Sequence, residues 1–187
     1  EYGVDTISAG ATMAFAIECF ERGLITAEDT GGIELGWGKA PEMIAMLEQT
    51  LNRDGFGDIL AEGSAAAAAH IGNGAKDYLV TSKDQEFPAH MPQVKPSLAV
   101  IYAVNPFGAD HQSSEHDPNY TPELIADSPE KYGKRAADIG MVNPQPDDVL
   151  NKEKVRYALT TQYAYSALDT ADVCQFVFGP AWQLRGM

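Results

Sequence analysis

Apolar side chains recur along the first third of the chain at helical spacing. Within residues 8–22, Ala11, Phe15 and Cys19 follow at i, i+4 and i+8 with Ile7 and Ala14 beside them, and Gly23 stands where a helix end is capped. The pattern predicts a core helix. A second helix is predicted from Pro41, whose fixed φ suits the first helical position. It sets Met43, Ile44, Leu47 and Leu51 on one face before Asp54-Gly55 ends it. A third is predicted from an Asp58 cap through Ile59, Leu60 and the alanine run of residues 65–69 to Ile71-Gly72, with small side chains that suit close helix packing.

The periodicity then breaks. Leu79-Val80-Thr81-Ser82 and Gln85-Glu86-Phe87 read as short extended pieces, and Pro88, Pro92 and Pro96 resist helix, so a domain boundary is placed within residues 80–95. Residues 97–104 read as a buried helix that leads into a polar loop over 105–118. Thr121-Pro122 and Ser128-Pro129 each pair a capping residue with Pro at the first helical position and predict two short helices. The longest predicted helix covers residues 151–168, with Val155, Leu159 and Tyr163 as its apolar stripe. The fold class that follows is mostly α with few short strands, and no internal repeat is apparent.

Composition narrows the partners. In 187 residues, 44% hydrophobic and 9% aromatic side chains are ordinary for a packed core. With 27 acidic against 13 basic residues the formal charge is -14, which opposes binding to nucleic acid or an anionic membrane, because such affinity rests on cations displacing counterions. No run of about 18 apolar residues is present, and no basic n-region precedes an apolar h-region, so a cytoplasmic location is the default expectation. Two cysteines, Cys19 and Cys174, are too few for a disulfide scaffold and leave reduced thiols or a metal ligand. Cys19 lies in an apolar helical pattern and reads as a plain buried thiol. The chain begins at Glu1-Tyr2-Gly3-Val4-Asp5 without Met and ends at Arg185-Gly186-Met187, and it reads as a fragment.

Four stretches carry candidate chemistry. Residues 28–38 hold Gly31, Gly32, Gly36 and Gly38, which permits either a plain turn or close backbone approach to a ligand, and match neither phosphate-binding loop pattern. His111, Glu115 and His116 have H-x3-E-H spacing. On a helix this would gather three metal ligands, but Pro106 and Pro118, with acids nearby, favour a hydrogen-bonded polar loop instead, and a single imidazole suffices for general acid–base work. Asp169-Thr170-Ala171-Asp172-Val173-Cys174 is read as a turn after the long helix, where the thiol either ligates iron or packs. Gly3-Val4-Asp5 echoes that turn, and two such turns would suit a pseudo-symmetric pair around one ligand.

Taken together, Gly3-Val4-Asp5-Thr6-Ile7-Ser8-Ala9-Gly10 running into Ala14-Phe15-Ala16-Ile17-Glu18-Cys19, then Glu28-Asp29-Thr30-Gly31-Gly32, Gly55-Phe56-Gly57-Asp58-Ile59-Leu60-Ala61-Glu62-Gly63 and Gly108-Ala109-Asp110-His111, resemble the aldehyde:ferredoxin oxidoreductase family. The resemblance covers nearly the whole chain and is weakest at residues 118–150. It implies helical domains 2 and 3, both partial, with residues 1–85 as the C-terminal part of domain 2 and 86–187 as the N-terminal part of domain 3. It further implies a tungsten held by two pyranopterins (tungstopterin) beside a 4Fe-4S cluster, oxidation of an aldehyde to a carboxylic acid, and ferredoxin or a similar carrier as electron acceptor. The family's pterin motifs read D-x-x-G-L-D and D-x-x-G-L-C. By resemblance Asp5 and Asp169 bind pterin, Cys174 ligates the cluster, and His111 is the catalytic histidine near the metal. Asp172-Val173 stands where the family has Gly-Leu, and the other three cluster cysteines and the partner carboxylate of His111 would lie upstream of residue 1.

The resemblance leaves room for a homo-oligomer. Two alternatives stand beside the aldehyde reading: the branch of the family that reduces aromatic acyl-CoA rings, and a non-catalytic helical interaction domain. The first two need Asp5, His111, Asp169 and Cys174 to serve one cofactor system; the third does not.

Overall fold

The computed structural model of the chain describes residues 2–178; Glu1 and residues 179–187, including the terminal Arg185-Gly186-Met187, lie outside them. Two compact units emerge, Glu1–Ala89 with Pro106–Ala109, and His90–Asn105 with Asp110–Met187.

The first unit opens with α1 (Thr6–Glu21), which starts two residues before the apolar pattern does because the Asp5 carboxylate accepts from the Ile7 N–H at 2.8 Å and the Ser8 N–H at 3.2 Å. Its Phe15, Ala16, Ile17 and Cys19 are buried with Ile25, Leu35, Met46, Phe56, Leu60, Ala67 and Ala68 in one core. Helix α2 (Ala40–Asn52) follows the glycine-rich stretch, which closes on itself: buried Thr30 donates to the Ile33 carbonyl at 2.6 Å, and Leu35 tucks into the core. That is the plain-turn reading of the stretch. The single third helix expected here is in fact two, α3 (Phe56–Leu60) and α4 (Ser64–Ile71), and Asp58 lies in the first turn of α3 rather than capping it. The break is at Gly63, whose φ of 90° no α-helix accommodates. At Gly57, α3 rests directly on α2, since a Cβ there would meet the Gln49 carbonyl carbon at 2.2 Å.

A 3₁₀ turn (Ala75–Tyr78) leads to the antiparallel pair β1 (Thr81–Ser82) and β2 (Gln85–Glu86), as the two extended pieces predicted. Glu86 is the fastener of this unit. Only 5% exposed, its Oε1 accepts from the Ser64 N–H and hydroxyl, both at 2.8 Å, and from the Thr12 hydroxyl at 3.2 Å, so one carboxylate joins the hairpin to α1 and to the start of α4. Burial alone would raise this carboxyl, but the donors from Ser64 hold it below the ordinary glutamate range.

The second unit holds α5 (Pro96–Val104), a 3₁₀ turn (Asp117–Tyr120), α6 (Pro122–Asp127) capped by the Thr121 hydroxyl, a π turn (Pro129–Gly133), α7 (Lys134–Asp138) and the 27-residue α8 (Lys152–Phe178). The second helical stretch expected at Pro129 does form, but Ser128, at its N-cap position, makes no side-chain cap bond. Its N–H closes α6 on the Leu124 carbonyl, and the chain continues through the π turn. Two further expectations fail on α8. Val155, Leu159 and Tyr163 are 47%, 48% and 68% exposed within the unit, while Lys154, Tyr157, Ala158 and Thr161 form the buried face. An ion pair joins Tyr157 and Ala158 on the inward face: the Lys154 ammonium donates to Asp117, with both side chains sealed from solvent. The helix also runs through Asp169 to Cys174 without a turn, since no Gly or Pro occurs between Leu168 and Phe178 to stop it. Among the described residues no helix is long and apolar enough to cross a membrane.

Asp117 also accepts from the Ser97 N–H at 3.1 Å and from its hydroxyl, which fixes the first turn of α5. Tyr157 stacks on Tyr120 at 5.0 Å beside Met141.

An Asp117→Ala substitution leaves the Lys154 charge buried and alone, and is expected to lower the unfolding free energy in urea by about 3–5 kcal/mol, against a much smaller loss for the double Asp117→Leu, Lys154→Met variant. Equal losses in the two would show that charge is not what matters there. For Glu86, the depressed carboxyl contributes fully at neutral pH and its contribution is lost as pH falls through the ordinary glutamate range toward the folded value. The urea midpoint of Glu86→Gln should therefore decline less steeply with acidification than that of the parent chain; parallel declines would remove Glu86 from the acid response.

Candidate functional site

The loop between α5 and the 3₁₀ turn is fastened within the second unit at several points. Buried Asn105 donates from Nδ2 to the Ser113 hydroxyl at 2.6 Å, and Asp110 Oδ1 accepts from the Gln112 N–H at 2.8 Å, which turns the chain around His111. Tyr157 donates to the His116 carbonyl at 2.9 Å. Glu115 is spent on the scaffold: Oε1 accepts from the His116 N–H at 3.1 Å and from Asn119 Nδ2 at 2.7 Å, and Oε2 accepts from the Tyr165 hydroxyl at 2.9 Å. The H-x3-E-H residues thus form a hydrogen-bonded polar loop. Among the described residues no group of three or more His, Cys, Asp or Glu is arranged to hold a metal ion.

What this loop assembles is a cluster of imidazoles around an ammonium. The His111 ring lies 4.8 Å from His90 and 6.2 Å from His116, and His90 and His116 meet edge to face at 4.6 Å. Lys95 Nζ stands 3.1 Å from His90 Nδ1 and 3.4 Å from His116 Nδ1, and His116 Nε2 is 2.9 Å from the His111 carbonyl oxygen. An ammonium has only protons to give and a carbonyl only lone pairs, so these partners select the Nε2–H tautomer of His116, with Nδ1 accepting. The same argument gives His90 a bare Nδ1. Burial, with the charge of Lys95 next, pushes the His90 imidazole below its ordinary pKa. Around the cluster, burial and nearby Asp110 raise Tyr102 to about 12, and burial together with the bond to Glu115 raises Tyr165 to about 12. Both phenols are neutral donors at working pH.

Asp169 and Cys174 are in the same unit but on one continuous helix, so they do not form the turn expected of them. Asp169 is exposed and Cys174 half-buried. Five residues of α-helix separate their directions by about 140°. Asp5 belongs to the first unit, where it is exposed and caps α1 through Oδ1, leaving Oδ2 outside the cap. Beside it opens a largely apolar cavity of about 670 Å³ lined by Tyr2, Val4, Met13, Ile17, Trp37 and Leu47. A second cavity of about 500 Å³, in the second unit, is walled by Tyr120, Tyr132, Tyr157, Tyr165 and Arg135.

His90 and Lys95 escaped sequence reasoning. The available signal was positional: His90 is bracketed by Pro88 and Pro92, and Lys95 immediately precedes Pro96, so both sit on a stiffened connection where side-chain direction is fixed. The residues present match a pterin–iron–sulfur group in part. Exposed carboxylates at Asp5 and Asp169 have the acceptor chemistry for pterin N–H groups, and Cys174 offers a reachable thiol. Cys19 offers none, since it is fully buried in the core and burial, with Glu18 nearby, pushes its thiol to about 11.

Comparison with known proteins places these features in context. The profile described as aldehyde ferredoxin oxidoreductase, domains 2 and 3, matches residues 1–186. A tungsten-containing aldehyde ferredoxin oxidoreductase of Pyrococcus abyssi is 34% identical over 179 residues, 94% of this chain and 26% of its own length. The aliphatic sulfonate oxidoreductase WOR-like subunit of Pyrococcus furiosus is 35% identical over 133 residues, 67% of this chain and 21% of its own length. Among solved structures, the active site complex BamBC of benzoyl coenzyme A reductase, in complex with 1,5 dienoyl-CoA, aligns with a TM-score of 0.60 at 28% identity, covering 81% of this chain and 24% of its own. The chain therefore spans about a quarter of the curated relatives it matches.

The two thiols should separate cleanly. In metal-free native protein, iodoacetamide is expected to alkylate Cys174 and spare Cys19, with both modified in urea, as read by peptide mass spectrometry; native labelling of Cys19 would contradict its burial.

Proposed function

The chain belongs to the aldehyde ferredoxin oxidoreductase family, and from that premise we propose that it forms part of a cytoplasmic tungstopterin enzyme that oxidises aldehydes to carboxylic acids and passes electrons to ferredoxin or a similar carrier. In this reading residues 1–85 belong to domain 2 and 86–187 to domain 3. Asp5 and Asp169 accept hydrogen bonds from the pterins' N–H groups, planar donors that suit a carboxylate. Cys174 supplies one thiolate to the 4Fe-4S cluster, whose remaining ligands come from outside this chain. When bound, the tungsten centre supplies the two-electron chemistry and the cluster an exit for electrons. His111 is the residue that meets substrate: it hydrogen-bonds the carbonyl and holds or moves the proton exchanged as water adds.

The observation that carries this reading is the placement of His111. Its ring rests on His90 and its carbonyl is gripped by His116, so the imidazole sits in a fixed, half-buried position where a proton-transferring group is useful. The aromatic acyl-CoA branch of the family stands as a second reading, favoured by the likeness to the benzoyl coenzyme A reductase complex. A non-catalytic helical interaction domain is the third.

The test uses the intact protein that carries this chain, produced anaerobically with tungstate. Tungsten and iron are measured by mass spectrometry of the elements, and viologen reduction is followed with aldehydes and, separately, with dienoyl-CoA thioesters. Aldehyde-dependent reduction is expected, and His111→Gln should lower kcat/KM by about 10²–10⁴-fold at unchanged tungsten content. A protein free of both metals would sink the enzyme readings together, and turnover of the thioester alone would select the second.

A further inference from the structure

Resting on the reading of His111 just given, we propose that Lys95 is a positioning residue for that imidazole: its ammonium clamps His90 and His116 in single neutral tautomers, and these two rings hold His111 in place. The geometry is a hub with two arms. One arm runs from Lys95 Nζ to His90 Nδ1, and the His90 ring lies against that of His111; the other runs from Nζ to His116 Nδ1, and His116 Nε2–H grips the His111 carbonyl.

Lys95 is oddly placed for any structural purpose. It occupies the N-cap position of α5 and makes no side-chain cap bond there, at the end of the helix where the macrodipole disfavours a cation. The acid that does serve this helix start, Asp117, is bound to Ser97 and paired with Lys154. Every other charged or titratable group facing the cluster is likewise engaged or remote from the ammonium. Glu115 is bound to Asn119, Tyr165 and the His116 N–H, Tyr157 gives its hydroxyl to the His116 carbonyl, Tyr102 gives its own to the His90 carbonyl, and Asp110 Oδ1 turns back on the Gln112 N–H. Among the described residues no ion pair neutralises Lys95, so its charge acts on the imidazoles.

The consequence is directional. A proton arriving at Nδ1 of His90 or His116 would turn an acceptor into a donor facing the ammonium, and the arm would break. Lys95 therefore disfavours a proton on His90 Nδ1 and keeps that arm under His111 ordered. The depression of the His90 imidazole agrees in sign.

The experiment maps diethylpyrocarbonate modification of His90, His111 and His116 against pH by peptide mass spectrometry, since only the unprotonated ring reacts, together with the pH profile of kcat/KM. The intact protein is compared with Lys95→Met, Lys95→Gln and Lys95→Arg. Removing the charge should move the His90 midpoint up toward the ordinary histidine range, so that modification at pH 6 falls, and should move the acid limb of kcat/KM upward with KM little changed. Lys95→Arg, which keeps the charge and the donors, should retain the parent profile. Lys95→Gln, which keeps a donor without charge, guards against the chance that Met unsettles the fold. Modification profiles unchanged in both Met and Gln variants overturn the clamp. A shifted profile with full activity in His111→Gln would instead overturn the catalytic reading on which this rests, and leave the clamp standing.

Discussion

Much of the second unit is arranged around one buried ion pair, Lys154 with Asp117. Two charges sealed from water attract strongly but pay heavily in lost hydration, so such a pair persists only when every remaining lone pair is satisfied. Here it is: the Asp117 oxygens also take the Ser97 N–H and hydroxyl, which makes one carboxylate the starting point of α5 and the docking point of α8. On α8, Tyr157, Ala158 and Thr161 turn inward with it, and Val155, Leu159 and Tyr163 turn out. Tyr157 also holds the His116 carbonyl and Tyr165 holds Glu115, so the histidine loop is fastened to the same helix.

The first unit uses a related device without a cation. Glu86 answers its own burial with donors from α1 and from the start of α4, so a two-residue strand is tied to helices that its own length could never anchor. In both units an acid near a helix start does what a hydrophobic contact does elsewhere, but with direction.

Much of this architecture was legible in the residues themselves. The helix over residues 8–22, its Gly23 end, the Thr121 cap, the paired extended pieces and the loop character of 105–116 all follow from local chemistry, and the backbone obeys it. What the residues concealed were the places where a long-range polar contact overrules a local pattern. Val155, Leu159 and Tyr163 look like a core stripe until Lys154 is seen to be buried, which no periodicity rule anticipates for a lysine. The stretch from Asp169 to Cys174 was read as a turn because the apolar stripe was followed only to Leu168; with no Gly or Pro to stop it, the helix goes on. Of the candidate cluster, His111 stood out by its H-x3-E-H spacing and by resemblance, while His90 and Lys95 were marked only by the prolines around them, which signal a stiffened segment but not where its side chains converge. Family membership was the most secure inference, since several short motifs in one order constrain ancestry more than any of them constrains shape.

The contact of α3 with α2 at Gly57 bears on how this chain is free to drift. An added β-carbon there would strike backbone rather than a movable side chain. Every missense change available to a glycine codon introduces a β-carbon, so the genetic code offers this site no gentle first step, and inherited variation around α3 must be bought through prior movement of the chain near Gln49 and Thr50.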